Sequence, residues 1–346
     1  MRMPLLPRRR RIGIVRLCIS RLLIPAISFT CVLIVYAASG GGDGGGALPP
    51  VRQYDTFEEA ARAIAADGRV VATTVVNDAF VPLTFNWLCN TKDMGVHESV
   101  VLVATDREAF AKLRRHWPRV ASVLLDLGDD MRRTHLFGDV GYEKLMIKRT
   151  EFINAALQAD DARVLLFETD ALWLRNPIAE LARGSNAYDI LVALNRPNGE
   201  IAGNFLYFRP TPKTKLFWAE KTRLMTSQLA GFVGKRSDDR TPENDQKYVT
   251  KLLAARYADV LVAVWPLERV QTGRWYTRQT VRAKPTLPDV INNNFVRGIA
   301  AKETRAKRWR HWFLRDDGVT CDGAQVERIL TLGPRADEPP DEPPWP

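Results

Sequence analysis

The sequence predicts an α/β fold in which a mainly parallel sheet is covered by helices on both faces. Three runs, RVVATTVV, SVVLVATD and RVLLF (residues 69–76, 99–106 and 163–167), are apolar or β-branched almost throughout. Such runs are typical of strands buried on both faces. Helical patterns lie between these runs, and strands that alternate with helices indicate a parallel sheet. A chain of 346 residues, 46% of them hydrophobic, is long enough to bury such a core.

The predicted elements follow one another along the body of the chain, residues 51–333. Thr56 and Glu59 form a capping box that begins the first helix, and Gly68 ends it. The later elements are a strand over 69–76, a helix over 81–94, a strand over 99–106, a helix over 107–117, an extended segment over 121–127, an amphipathic helix over 142–161 and the strand over 163–167.

The two ends of the chain have compositions unlike the body. Residues 1–38 hold seven arginines and no acid, and an uncharged apolar run follows four consecutive arginines. We expect a cytoplasmic basic tail and a signal-anchor helix there, which would hold the protein in a membrane; a cleaved signal peptide is the alternative. Residues 39–50 are expected to form a glycine-rich stem, and residues 334–346 an acidic, proline-rich disordered tail.

The net charge of +10 comes mostly from the N-terminus, because beyond residue 38 the chain has 43 basic and 40 acidic residues. A nearly neutral body argues against a nucleic-acid partner. The basic run over 302–315 carries interleaved aromatic residues, and an amphipathic helix explains it as well as a nucleic-acid surface does. Cys89 and Cys321 lie beyond the anchor and could pair in an oxidising lumen.

Two acidic residues, Glu168 and Asp170, follow the strand over 163–167. Ligands of open parallel sheets bind at the carboxyl ends of strands. Because residues i and i+2 of extended backbone point the same way, both carboxylates can face one site. Two oxygen donors there suit Mg²⁺ or Mn²⁺, which would carry substrate phosphates as further ligands. An ordinary turn in which Asp170 caps the next segment is the alternative.

Five segments, taken in order, resemble one family. They are VVATTVVNDAFVPLTFNWL, LLFETDALWLRNP, GNFLYFRPT, ENDQKYVTKLL and INNNFVRGIAAKETRAKRWRHWFL, which begin at residues 70, 165, 203, 243 and 291. Together they are similar to the signatures of the nucleotide-diphospho-sugar transferases grouped as glycosyltransferase family 77. The resemblance implies a GT-A fold over residues 51–333, in which a Rossmann-like nucleotide-binding sheet merges with an acceptor-binding half.

The resemblance also implies an activity. Members are typically single-pass type II Golgi membrane proteins with a lumenal catalytic domain, which move a sugar from a nucleotide-diphosphate donor to a glycan or glycoprotein acceptor with retention of configuration. Carried over to this chain, the metal ligands would be Asp170, Glu168 and Asn292, and the catalytic residues Asp245 and Gln246. The cofactor would be Mn²⁺ or Mg²⁺. The donor would be bound by Thr74, Asn77, Arg149, Gly203, Asn204, Gly298 and Lys302.

Two of these residues depart from the family pattern. Glu168 stands where the family usually has Asp, and Asn292 stands where related enzymes have a metal-binding His. An Asn carbonyl can bind either cation as a neutral oxygen donor, but the change could equally mark a weakened site. The alignment also allows a slip of one residue among Asn292, Asn293 and Asn294. The alternative function is therefore a catalytically inactive member that binds a nucleotide sugar or glycan as a scaffold.

Overall fold

The computed structural model describes residues 53–128, 131–159, 162–184, 187–196, 199–241 and 244–339. The predicted basic tail, signal anchor and stem, residues 1–50, lie outside the described residues, and so do the last seven residues of the predicted C-terminal tail. In these described ranges, none of the helices has both the length and the apolar composition that crossing a membrane requires.

Ten strands and eleven helices form the described body. The strands are β1 (Val71–Val76), β2 (Val100–Ala104), β3 (Ala121–Leu124), β4 (Val164–Leu166), β5 (Ala171–Trp173), β6 (Ile190–Leu194), β7 (Ile201–Phe208), β8 (Val262–Val264), β9 (Val270–Gln271) and β10 (Val290–Asn292). The helices are α1 (Phe57–Ala66), α2 (Val81–Thr91), α3 (Arg107–His116), α4 (Val140–Ala159), α5 (Pro177–Arg183), α6 (Pro212–Thr226), α7 (Asp245–Ala254), α8 (Arg274–Thr277), α9 (Gln279–Arg282), α10 (Ile299–Arg308) and α11 (Gly323–Leu332).

The central sheet has seven strands in the order β3-β2-β1-β4-β7-β6-β8. Four neighbouring pairs are parallel, and only β7 runs antiparallel to its neighbours β4 and β6. Alternate residues of β2 pack into different apolar clusters, Val100 and Leu102 into one and Val101 and Val103 into another. Both faces of the sheet are therefore buried, and the predicted α/β fold with a mainly parallel sheet is confirmed.

A second, three-stranded sheet has the order β5-β10-β9. Strand β10 runs antiparallel to β5, with Asn292 opposite Ala171. One step further, the backbone N–H of Asn293 donates to the carbonyl of Asp170 at 2.9 Å. This small sheet therefore holds the asparagine run of the C-terminal motif directly beside the acidic motif.

The element boundaries differ from the predicted ones where side chains bind the backbone. Thr56 caps α1 by accepting from the N–H of Glu59 at 3.1 Å, as predicted. The side chain of Glu59 accepts from Asp55 rather than from Thr56. Strand β2 ends two residues earlier than predicted, because the carboxylate of Asp106 caps α3 by accepting from the N–H of Ala109 at 2.9 Å.

Packing also continues beyond Gly333, the predicted end of the body. A ring nitrogen of His311 lies 2.9 Å from the carbonyl oxygen of Pro334, and Arg282 pairs with Glu338 at 2.6 Å. The segment up to Glu338 is therefore part of the folded body and not of a disordered tail. A disulfide joins Cys89 on α2 to Cys321, with 5.4 Å between the Cα atoms; the sequence had left this pairing open.

Candidate active site

A cavity of about 950 Å³ opens beyond the carboxyl ends of β1 and β4. Ten of the twelve site residues predicted from the sequence line it: Thr74, Asn77, Arg149, Glu168, Gly203, Asn204, Asp245, Gln246, Gly298 and Lys302. The other two, Asp170 and Asn292, are only 4% and 1% exposed and lie in the wall behind the lining. Segments far apart in the sequence therefore converge on one cavity.

The acidic motif leaves the end of β4 with its side chains in different environments. Glu168 lines the cavity, and its side chain is 23% exposed. Asp170 is buried and forms an ion pair with the ammonium group of Lys302. One carboxylate oxygen of Asp170 accepts from Lys302, and the other has no hydrogen-bond donor among the described residues. The side chain of Asp170 therefore caps neither the turn nor the next segment, and α5 is capped by Asn176.

Burial and the surrounding charges together raise the pKa of the Glu168 carboxyl group. Burial and the neighbouring carboxylate of Asp170 raise the pKa of Glu168, Lys302 and Arg149 lower it, and the net result is a pKa of about 7. For Lys302, burial alone would lower the pKa, but the charges of Asp170 and Glu168 outweigh burial and raise it. Lys302 is therefore a cation held in the wall of the cavity.

Arg149, which was predicted to bind the donor, contacts two carboxylates of the site. It projects from α4, is 2% exposed, and donates from Nη2 to Oδ2 of Asp245 at 2.6 Å. Its Nη1 lies 3.8 Å from Oε1 of Glu168. Burial would lower the pKa of Arg149, but Asp245, Tyr142 and Glu168 outweigh burial and raise it. Arg149 thus joins the acidic motif to the Asp-Gln pair.

Gln246 is fixed by contacts at both ends of its amide. Its Oε1 accepts from Nδ2 of Asn195 at 3.0 Å and from the N–H of Gly203 at 3.4 Å. Its Nε2 donates to Oε1 of Glu200 at 3.1 Å. A Cβ atom added at Gly203 would lie 3.0 Å from Cβ of Gln246, so a glycine there permits this close approach.

Three predicted donor-binding residues have different surroundings. The amide of Asn77 donates to the carbonyl oxygens of Met131 and Arg133, at 3.1 and 2.8 Å, so it anchors the segment over the cavity. Asn204 lines the cavity, and its Oδ1 is buried without a hydrogen-bond partner among the described residues. Gly298 precedes α10 with φ of 84°, a conformation that favours glycine.

Hydrogen bonds distinguish the three asparagines of the C-terminal motif, Asn292, Asn293 and Asn294. Asn293 donates to the carbonyl of Lys302 at 2.8 Å, and Oδ1 of Asn294 accepts from the N–H of Gly273 at 2.6 Å. Asn292 donates to the carbonyl of Gln271, but its Oδ1 is buried with no partner in the described chain. Of the three, Asn292 has the buried acceptor left for a ligand.

The residues fit a hard cation that completes its shell from a ligand. Oδ1 of Asp170, like Oδ1 of Asn292, is buried and has no hydrogen-bond donor within the described ranges. Oxygen atoms of this kind are what Mg²⁺ and Mn²⁺ prefer. The described residues contain no group of three or more His, Cys, Asp and Glu side chains placed to hold a metal. The protein thus offers a partial set of oxygen ligands, and phosphate oxygens would have to supply others.

Several lining residues were missed by the sequence analysis. Asn195, Arg196 and Glu200 lie at the connection between β6 and β7, and Arg274 and Phe295 lie on or near the small sheet. The turn signal of the segment NRPNGE was visible in the sequence, but nothing in it indicated that Asn195 and Glu200 contact Gln246. Arg274 had no local signal at all.

The fold and cavity define an α/β protein with a large cleft at the strand ends that combines acidic and cationic side chains. Residues 95–305 match the model of the family described as nucleotide-diphospho-sugar transferase. The chain belongs to this family, whose members are glycosyltransferases that use nucleotide-diphospho-sugar donors. No curated protein sequence matches the chain significantly.

Two solved structures are similar to this chain at low identity. The glycosyltransferase GlyE of Streptococcus pneumoniae TIGR4 is 13% identical, with a TM-score of 0.44, over 76% of this chain and 63% of the GlyE chain. The galactosyltransferase LgtC, solved with donor and acceptor sugar analogues, is 13% identical, with a TM-score of 0.44, over 75% of this chain and 94% of its own. The present chain thus spans less than two thirds of the GlyE chain.

Proposed function

We propose that this protein is a metal-dependent glycosyltransferase of the GT-A fold, similar to glycosyltransferase family 77. It would move a sugar from a nucleotide-diphosphate donor to a glycan or glycoprotein acceptor with retention of configuration. We further propose that residues 1–38 anchor it in the Golgi membrane as a single-pass type II protein with a lumenal catalytic domain. The disulfide between Cys89 and Cys321 supports an oxidising compartment.

One observation carries the proposal for the reaction. The Arg149 guanidinium contacts both Asp245 and Glu168, so the Asp-Gln pair and the acidic motif belong to one cluster on the wall of one cavity. The two motifs lie on different elements, and a purely structural role for either would not require a shared cavity. Sugar transfer does require this, because the diphosphate and the sugar of one donor must be held together.

The described side chains can stabilise the charges that develop on the diphosphate and on the sugar when the bond between them breaks. When the bond between the anomeric carbon and the diphosphate oxygen breaks, the diphosphate gains negative charge, which the ammonium group of Lys302 in the cavity wall would neutralise. The sugar gains positive charge, which the carboxylate of Asp245 stabilises. Asn195 and Glu200 orient the amide of Gln246 beside it.

A divalent cation fits beside these groups. Asp170 and Asn292 would hold it, with Glu168 facing the metal or the donor ribose, and it would supply Lewis-acid stabilisation of the leaving diphosphate. Lys302 already neutralises one oxygen of Asp170, which leaves the other oxygen for a ligand.

The test is turnover of nucleotide sugars by the purified full chain in detergent, with Mn²⁺, with Mg²⁺ and with chelator. We expect metal-dependent hydrolysis or transfer with at least one member of a donor panel. Asp170→Ala should abolish both turnover and metal-dependent nucleotide binding without unfolding the protein, whereas Asp238→Ala, at an exposed acid that does not line the cavity, should change neither. Retained nucleotide binding with a large loss of stability in Asp170→Ala would contradict the proposed role.

A catalytically inactive, nucleotide-sugar-binding scaffold is the second candidate. Asn292 in place of the expected His, together with Lys302 on Asp170, favours it. Binding of a nucleotide sugar without turnover across the donor panel, at any metal concentration, would identify this function.

A further inference from the structure

The cations of the cavity wall divide into two sets. Arg149 and Lys302 are paired with the carboxylates of the acidic motif and of Asp245. Arg274 and Arg278 also line the cavity, and among the residues that the structure describes neither has an ion-pair partner. Arg196, which joins them, has Glu200 at 3.2 Å. The second set therefore has more positive than negative charge.

Two of these arginines lie over one aromatic ring. The guanidinium carbons of Arg274 and Arg196 lie 5.3 and 6.0 Å from the centre of the Phe295 ring. Arg274 begins α8 and Arg278 directly follows its last residue, and both side chains line the same cavity. Burial lowers the pKa of Arg274, and the like charges of Arg278 and Arg196 lower it further. Like charges held this close are stabilised when an anion binds between them.

The backbone that carries this arginine cluster (Arg196, Arg274 and Arg278) is held tightly. Phe295 has φ of 57°, a left-handed conformation that non-glycine residues rarely adopt. The backbone of the preceding residue packs closely on Gly273, because a Cβ atom there would lie only 1.7 Å from the carbonyl oxygen of Asn294. That carbonyl accepts from Nη1 of Arg305 at 2.9 Å. The strained turn is therefore fixed by its surroundings, and strain of this kind is typical of ligand sites.

The cluster lies beside the groups that position Gln246. Asn195, which donates to Gln246, precedes Arg196 in the chain, and Nδ2 of Asn294 is 3.5 Å from Oδ1 of Asn195. The predicted donor-binding residues Thr74 and Asn77 lie on β1 and in the turn after it, so they belong to a different segment from the arginine cluster. Asn195, the chain neighbour of Arg196, thus links the cluster to Gln246, which places the arginines near the site proposed for the reacting sugars.

We propose that Arg196, Arg274 and Arg278 form a subsite for the carboxylate or sulfate group of an acidic sugar, carried by the donor or by the acceptor. The guanidinium fork suits both groups, because it donates two parallel hydrogen bonds to a pair of oxygens. This inference rests on the proposed function, and it adds the substrate class: at least one of the two sugars is anionic.

The first experiment measures binding of free sugars to the full chain by ligand-observed NMR, using glucuronic acid against glucose and galactose 6-sulfate against galactose. The acidic member of each pair should bind more tightly. Arg274→Ala together with Arg278→Ala should reduce that preference about tenfold or more, as expected for charged hydrogen bonds. Arg223→Ala, an exposed arginine on α6, is the matched control and should leave it unchanged.

A second arm separates the two sources of the anion by comparing uridine diphosphate glucuronic acid with uridine diphosphate glucose. If the donor carries the acid, the glucuronic acid conjugate binds more tightly, and the difference disappears in the double variant. If the acceptor carries it, the two conjugates bind alike, and free glucuronic acid still binds when uridine diphosphate is present.

Three results would overturn the inference. Equal binding of acidic and neutral sugars would remove the subsite while leaving the glycosyltransferase proposal intact, provided that a nucleoside diphosphate still binds. A loss of uridine diphosphate affinity in the double variant as large as its loss of affinity for the acidic sugar would assign the arginines to the diphosphate instead. Binding of neither nucleotides nor sugars would overturn both proposals together.

Discussion

Arg149→Met tests the cluster on which the proposed site depends. At 2.6 Å, the attraction between Arg149 and Asp245 is worth about 6 kcal/mol at an effective dielectric constant of about 20, before the cost of desolvation is subtracted. Removing one partner of a buried pair leaves an uncompensated charge and typically costs about 3–5 kcal/mol. Because Lys221 is also electrostatically coupled to Asp245, we expect a loss of about 3 kcal/mol in the free energy of unfolding.

The assay is equilibrium urea unfolding of the full chain, combined with nucleotide binding. Asp245→Asn alone should cost less than Arg149→Met, since Glu168 remains 3.8 Å from Arg149. In Arg149→Met with Asp245→Asn, no charge of the pair is left unpaired, so part of the loss should be recovered. A loss below about 1 kcal/mol for Arg149→Met would refute the reasoning, because a pair of that strength is typical of exposed side chains.

Three further predictions concern pH, metal and the disulfide. Burial lowers the pKa of His311 to about 4, so its neutral ring contributes stability above pH 6.5 that is lost as the pH falls toward 4. His311→Gln should therefore reduce the difference in the free energy of unfolding between pH 7 and pH 4, measured by urea titration, by about 3 kcal/mol. Asn292→His adds a nitrogen ligand and should tighten Mn²⁺ relative to Mg²⁺ in calorimetry with nucleoside diphosphate present, and unchanged affinities would show that residue 292 does not face the metal. Replacing Cys89 and Cys321 together by Ser should lower the free energy of unfolding by about 2–5 kcal/mol, and an unchanged urea midpoint would mean that the bond contributes little.

Local patterns were enough to predict the features that depend on neighbouring residues. The strand before Glu168, the helix cap at Thr56 and the position of the acidic motif at a strand end all follow from runs of fewer than about 15 residues. The placement of Asp245, Gly203 and Lys302 in one cavity came from the family resemblance, since nothing in their local patterns relates these three segments.

The rest depends on contacts between distant residues. Arg149 and Asp245 are 96 positions apart, and a helix pattern does not reveal which acid a buried arginine meets. The antiparallel direction of β7 was not predicted, because a continuous apolar run has the same pattern in either direction. The acidic, proline-rich C-terminal segment suggested disorder from composition, whereas Glu338 is held by Arg282 from the body.

The separation of 232 residues between Cys89 and Cys321 also sets an order of events during biosynthesis. At a synthesis rate of about 5–20 residues per second, Cys321 leaves the ribosome roughly 12–46 s after Cys89. During that interval Cys89 is a thiol without its native partner, although α2 and the first strands are already available to fold. Asn86 on the same helix likewise waits for its hydrogen-bond partners, His311 and Phe313. The final arrangement of α2 is therefore completed only when almost the whole chain has been translated.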